Sequence, residues 1–376
     1  MADGQPDKVK GSAMAPAYDA WLLFPVLFLV GIGVVMVYSA SSAVALKSYG
    51  TDRFFLDRQA VFSLVGILAL VICRRIPTWL LQRLAYPLLI FAVCLLSVVL
   101  IHGFGWRAGG ATRWLHVGEF SFQPSALARF ALVIYLAYSL SKKKERLGSF
   151  SIGVVPHILV LGVLCCLIAL QPDFGSVLIL CSLTWIMLFV GGVRLRHLLA
   201  PLLAAVPLMT WFLLMAPYRV RRLMSFMNPW QYNQDAGYQV VHSLMAFGSG
   251  GLWGVGLGRG YQKLFYLPEP HTDFIFSVIG EELGLVGVLL ILGLYCLVLW
   301  RGISIARHAR DPFGALVALG LTTALGLQVG INMGVTLGLL PTKGLTLPFL
   351  SYGGTSLVMN MAAVGILMRV GAGKAR

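Results

Sequence analysis

Ten apolar runs, most long enough to cross a lipid bilayer and separated by charged connections, decide what this chain can fold into. They cover 21–42, 59–73, 84–102, 124–140, 152–170, 174–192, 197–216, 274–300, 314–338 and 348–369. A hydrocarbon core of ~30 Å takes about 20 helical residues. In lipid every backbone N–H and C=O must be paired inside the protein, which restricts runs of this length to helices. Of the 376 residues, 58% are hydrophobic and 11% charged, where a soluble domain carries about a quarter charged. The expectation is an all-α polytopic integral membrane protein of about ten transmembrane helices. A polar tail at 1–20 precedes a single transmembrane domain at 21–370, and a short tail follows at 371–376.

Charge orients the bundle. The chain has 29 Lys and Arg against 14 Asp and Glu, a net charge of +15. These cations sit in connections between apolar runs, which suits membrane topology rather than a nucleic-acid partner. With the N-terminus cytoplasmic, 17 of them fall inside and 11 outside. Five of the outer ones lie in the long stretch 217–273, and long loops weigh little in the positive-inside rule. Both termini are therefore expected in the cytoplasm, with 217–273 a long extracytoplasmic loop between the seventh and eighth helices. All six cysteines lie within apolar runs, without metal-ligand spacing, and read as small buried hydrophobes.

A loop of this length usually carries function. It clusters Arg219, Arg221 and Arg222 at its start and then reads GSGGLWGVGLGRG at 248–260. No strand precedes these glycines and no βαβ unit surrounds them, so no nucleotide cofactor is expected. Close backbone packing or tight turns explain them as well.

Four of the fourteen acids fall in LPEPHTDFIFSVIGEELG at 267–284. Asp273 opens the eighth run, and a carboxylate at the mouth of a membrane helix marks a candidate site. It fits two roles, N-cap of that helix or general base toward a hydroxyl at the membrane surface. Glu281 and Glu282 lie about 12–13 Å further along a helix, within the bilayer, and are expected to bond to neighbouring helices or a basic partner. QPS at 123–125 and QPD at 171–173 each open a helix, with Pro where a missing N–H is no loss. Asp173 is thus a second outward carboxylate, or a cap. Arg113 lies in GATRWL at 110–115, and Arg129 one turn into the fourth run. Trp114 beside Arg113 fits an interfacial anchor, while Arg129 could snorkel outward or face a cavity and hold phosphate as bidentate guanidinium. The stretch NMGVTLGLLPTKGLTLPFLSYGGTS at 332–356 interrupts the apolar pattern. Irregular backbone at that depth must be buried or line a wet cavity, so Lys343 and Ser351 are expected to face the same outer cavity as Asp273.

Taken in order, GATRWL, QPS, QPDFGS, GYQ, LPEPHTDFIFSVIGEELG and GLLPTKGLTLPFLSYGGTS resemble the SEDS family (shape, elongation, division and sporulation proteins) over nearly the whole chain. The wording around HTDF and LLPTKGLTLPF is closer to division (FtsW-type) and sporulation members than to the elongation (RodA) type. The resemblance implies a peptidoglycan glycosyltransferase of the bacterial inner membrane, acting at the division septum. It would polymerise lipid II together with a class B penicillin-binding protein and other division-complex membrane proteins. It maps the essential carboxylate to Asp273, and the motif Arg and Asp to Arg113 and Asp173. Arg113, Arg129, Lys263 or Lys343 would steady charge on the leaving pyrophosphate, as would a divalent cation, Mg or Mn. The chain departs from the family at QPSALAR, with Ala126 and Arg129 where Glu and Lys are usual. Two other classes remain open: a lipid II flippase or other transporter, and a scaffold. A carrier wants polar groups spread through the midplane, whereas here they gather at the outer mouth. A scaffold has no need of Asp273.

Overall fold

The computed structural model describes residues 18–101, 105–108, 111–117, 120–215, 217–232, 237–264 and 266–373. Residues 1–17 of the predicted N-terminal tail and 374–376 of the predicted C-terminal tail lie outside them. The helices are α1 (Ala20–Tyr49), α2 (Phe54–Arg75), α3 (Thr78–Leu100), α4 (Pro124–Lys142), α5 (Phe150–Gly153), α6 (Val155–Leu170), α7 (Phe174–Val190), α8 (Leu195–Leu214), α9 (Pro217–Met227), α10 (Tyr238–Gly250), α11 (Ile275–Arg307), α12 (Pro312–Thr336) and α13 (Gly354–Ala372). Among the described residues, eight segments are long and apolar enough to cross a membrane: α1 to α4, α5 with α6, and α11 to α13. The two further predicted runs form shorter apolar helices, Phe174–Val190 and, within α8, Leu195–Ala204.

Among the spans, α4, α12 and α13 are mostly buried, while the others leave over half of their apolar stretch uncovered. The three therefore form the centre of the bundle. α13 packs most extensively on α2, and α11 lies between α1 and α12. The residue before α1 meets the far end of α11, where Arg301 Nε donates to Asp19 Oδ2 at 2.8 Å.

Three local results differ from expectation. GATRWL is not an irregular loop: β2 (Ala111–Val117) pairs antiparallel with β1 (Gly105–Ala108) and β3 (Phe120–Phe122). This small sheet sits over the ends of α3, α4 and α13. The last span begins at Gly354 rather than 348, because 343–353 is irregular chain. The long segment 217–273 holds two helices, α9 and α10.

The glycines of that segment have a packing reason. α11 breaks at Gly284, with φ 64° and ψ −164°, which frees helical carbonyls and amides inside the bundle. The glycine loop replaces the lost partners. Val255 N donates to Glu281 O at 3.0 Å and Gly256 N to Glu282 O at 3.1 Å, while Leu285 N and Val286 N donate to Gly251 O and Leu252 O at 3.0 and 3.2 Å. This backbone-to-backbone docking satisfies the kink. It excludes a side chain at Gly254, whose φ is +80° and where a Cβ would stand 2.2 Å from Glu282 O.

Candidate active site

At the end of the bundle that carries the sheet, the turn before α11 and strand β2 bring Asp273 and Arg113 to Gly344, next in chain to Lys343. Asp273 lies in the turn that leads into α11. Residue Phe274, not Asp273 or Thr272, occupies the N-cap position, and no side chain caps the helix. The capping role is therefore unfilled. Among the described residues, the Asp273 carboxyl takes no hydrogen bond. Burial and the nearby Glu269 carboxylate push it up to about 7, against the downward pull of Arg113; Asp173 adds a smaller upward push. The side chain is half-buried, so the proton has a way in and out. A carboxyl poised near neutrality suits a general base.

The turn that carries Asp273 is held from behind. The His271 ring packs 4.4 Å from Phe55 and 5.7 Å from Tyr352, centre to centre. Its carbonyl accepts from Tyr352 N at 2.9 Å, and burial holds the imidazole below its ordinary value. On the other side, Asn332 Nδ2 donates to Asp273 O at 2.8 Å and to Leu345 O at 2.5 Å. That one amide fixes the acid's peptide against the irregular chain after α12. Beside Leu345, Gly344 leaves the acid its room. A Cβ there would stand 3.1 Å from Asp273 Oδ2 and 4.0 Å from Arg113 Nη1.

Arg113 reaches this point from β2. Its Nε donates to Gln171 O at 3.2 Å and its Nη2 to Pro172 O, leaving Nη1 directed at Gly344. Gln171 is itself anchored, donating to Leu96 O at 2.9 Å. Arg113, Gly344 and Asp273 thus converge from three separate parts of the chain. Lys343 stands one residue from that contact, half-buried.

The other predicted residues are placed elsewhere. Asp173, 2% exposed, caps α7. It accepts from Ser176 N at 3.3 Å, Ser176 Oγ at 2.7 Å and Ser125 Oγ at 3.4 Å. It ties the starts of α4 and α7 together and reaches Asp273 through its charge rather than through a ligand. Arg129 donates to Gln328 Oε1 at 2.7 Å. Gln328 in turn donates to Thr346 O at 2.8 Å and Ser356 Oγ at 3.3 Å. Arg129 therefore braces the chain behind Gly344. Beside Ala126, where the family resemblance led to the expectation of Glu, lies a cavity of about 20 Å³ lined also by Arg129 and Asn360, room for a single water. With Ala126 unable to bond, Gln328 is the partner Arg129 finds.

Lys263 and Ser351 correct the sequence reading. Lys263 is 5% exposed and ion-paired to Glu282 Oε1 at 2.6 Å, with Ser39 Oγ accepting from it at 2.9 Å. Glu282 also accepts from Gly258 N at 3.1 Å, and Glu281 from Tyr261 N at 2.7 Å. These groups lock the glycine loop onto α11 and α1, and the cation is unavailable to an anionic ligand. Ser351 is buried, accepts from Leu347 N at 2.7 Å and closes its own turn. It does not face the mouth. Asn332, Gln328 and Gly344 were given no role by sequence. The four-residue spacing of Gln328 and Asn332 on an apolar span puts two amides on one helix face, which was the available signal.

Fold and site together define a multi-pass membrane protein whose Asp273, flanked by a cation at the mouth of the bundle, has a carboxyl without a hydrogen bond among the described residues. The sequence family described as "Cell cycle protein", which groups FtsW, RodA and SpoVE, matches residues 20–375. A Geobacter metallireducens protein named "Probable peptidoglycan glycosyltransferase FtsW" is 44% identical over 353 residues, 94% of each chain. "Stage V sporulation protein E" of Bacillus subtilis is 41% identical over 352 residues, 94% of this chain and 96% of its own. Among solved structures, a chain from work described as "Structural coordination of polymerization and crosslinking by a peptidoglycan synthase complex" superposes with a TM-score of 0.78 at 32% identity, over 95% of this chain and 98% of that one. The rod shape determining protein RodA of Thermus thermophilus superposes at 0.70 and 32% identity, over 95% and 97%. The chain belongs to the FtsW, RodA and SpoVE family, on its FtsW-type side.

Proposed function

We propose that this chain is a peptidoglycan glycosyltransferase that polymerises lipid II in the bacterial inner membrane, at the division septum. The names of its relatives support the activity. The observation that carries the mechanism is the Asp273 carboxyl: half-buried, without a hydrogen bond among the described residues, and pushed up to about 7 beside the Arg113 guanidinium.

Asp273 acts as general base. Its carboxylate takes the proton of an acceptor-sugar hydroxyl as that oxygen bonds to the donor's anomeric carbon. The bond from that carbon to the polyprenyl pyrophosphate oxygen breaks, with inversion, and the leaving group departs with its electron pair. Arg113 lies where negative charge gathers on the leaving pyrophosphate and stabilises it there. Lys343, next in chain to Gly344, is the second cation near enough in sequence and place to share that task.

A resident, fully protein-ligated metal does not fit. Among the described residues no three His, Cys, Asp or Glu side chains gather as ligands. A magnesium or manganese ion belongs here only as one carried by the substrate's phosphates to a single carboxylate, a manner of binding usual for Mg²⁺. The proposed partners are a class B penicillin-binding protein and further membrane proteins of the division complex. The synthase complex to which the superposed chain belongs supports the first.

Purified lipid II in detergent, with the partner protein supplied, tests the proposal. Wild type is expected to make glycan strands, and Asp273→Asn to make none while still folding and binding the partner. Polymerisation by the Asn variant at the wild-type rate removes Asp273 as the base.

A further inference from the structure

The end of the bundle away from Asp273 holds a cavity of about 340 Å³ lined by Thr78, Arg310, Asp311, Arg369 and the last turn of α13. Three elements meet there: the start of α3, the turn between α11 and α12, and the end of α13. We propose that it binds the headgroup phosphate of an anionic phospholipid.

Three observations on the lining carry this. Arg310 and Arg369 both front the cavity, and neither has an ion pair or hydrogen bond among the described residues. Of the other arginines at this end, Arg74 lies over the Tyr18 ring at 3.7 Å, Arg83 over Trp79 at 5.0 Å, and Arg301 pairs with Asp19. Asp311, the one acid in the lining, caps α12, its Oδ2 accepting from Gly314 N at 2.8 Å. Its charge is therefore directed at that helix's first turn. Thr78, the first residue of the 23-residue helix α3, lines the same space, and no side chain caps that helix, so the cavity adjoins a helix start, a favourable place for an anion.

Depth selects a lipid over a free ion. Trp79, next to Thr78, is 54% exposed, and a tryptophan so placed marks the headgroup level of the membrane. The cavity thus opens at the height where lipid phosphates lie, on the face rich in Lys and Arg. Basic pockets between helices at this level hold anionic headgroups. A phosphodiester would take Arg310 and Arg369 as two guanidinium partners and Thr78 as hydroxyl donor.

The full-length protein in detergent, titrated with phosphatidylglycerol and read by native mass spectrometry, tests this. Wild type is expected to retain bound phosphatidylglycerol in preference to phosphatidylcholine. Arg310→Gln with Arg369→Gln is expected to weaken retention by about thirtyfold, as the loss of two membrane-surface cations implies. The double Lys variant should keep most of the binding, and Arg75→Gln, at the same end outside the cavity, all of it. Equal retention of both lipids, or retention by the double Gln variant within about twofold of wild type, overturns the proposal. So does displacement of the lipid by millimolar inorganic phosphate, which would make this a free-phosphate site.

Discussion

Replacing Asp273 by Asn should abolish polymerisation and make the protein more stable, and the two effects have one cause. An acid whose folded value lies above its unfolded value carries a penalty once it is ionised. The folded protein then holds the proton where the unfolded chain has released it, so stability falls as pH climbs between the two values. For Asp273 the window runs from the ordinary 3.8 to about 7, with burial the largest cause and Glu269 the next. At ~1.36 kcal/mol per pH unit that is at most about 4 kcal/mol above pH 7. Water reaches the half-buried group and screens it, so about 1–2 kcal/mol is the expected release. An Asn removes the charge while keeping the shape. The variant should therefore melt roughly 2–5 °C above wild type at about pH 8, the gap closing as pH falls toward 4 and staying flat above 7. Scanning fluorimetry in detergent across that range measures it, alongside lipid II polymerisation on the same samples. An Asn variant as stable as wild type at all pH values would show that Asp273 is not held out of its ordinary range, and the case for a base poised at neutrality would fail with it.

Three other outcomes follow from the same geometry. Polymerisation by wild type should rise with pH through about 7, because the basic form of Asp273 is the reactive one; a flat profile from pH 6 to 8 contradicts it. Lys263→Met strands the Glu282 carboxylate inside the bundle and should lower stability by about 3–5 kcal/mol, while Lys263→Met with Glu282→Gln regains most of it. Activity per folded molecule should stay within about twofold in the double variant, since Lys263 is a structural cation; a rise in KM for lipid II would restore it to the site. Asn332→Leu releases the peptide of Asp273 from Leu345 and should lower kcat roughly tenfold or more, with KM within about twofold. Equal losses in both would mean that Asn332 merely supports the binding groove.

What sequence made legible divides along a physical line. The eight long spans follow from composition alone, because lipid leaves a run of twenty apolar residues one conformation. The sheet around Arg113 was not legible, since strands of four, seven and three residues leave no periodicity to read. Roles of charged groups divide in the same way. Asp273, Asp173 and Glu282 look alike from sequence, each a carboxylate at or inside a membrane helix. What separates them is the partner each meets, and partners are set by tertiary placement. Glu282 meets Lys263 nineteen residues away and Ser39 on a different helix, 243 residues away. Asp173 meets Ser125, 48 residues away. Asp273 meets a glycine, and an arginine already held by two carbonyls. A buried carboxylate with its hydrogen bonds complete is inert, because every proton transfer would have to break a bond that burial makes expensive to lose. The fold therefore selects its working acid by satisfying the others. The Gly344 that keeps a side chain off Asp273 belongs to the reactive centre as much as the arginine does.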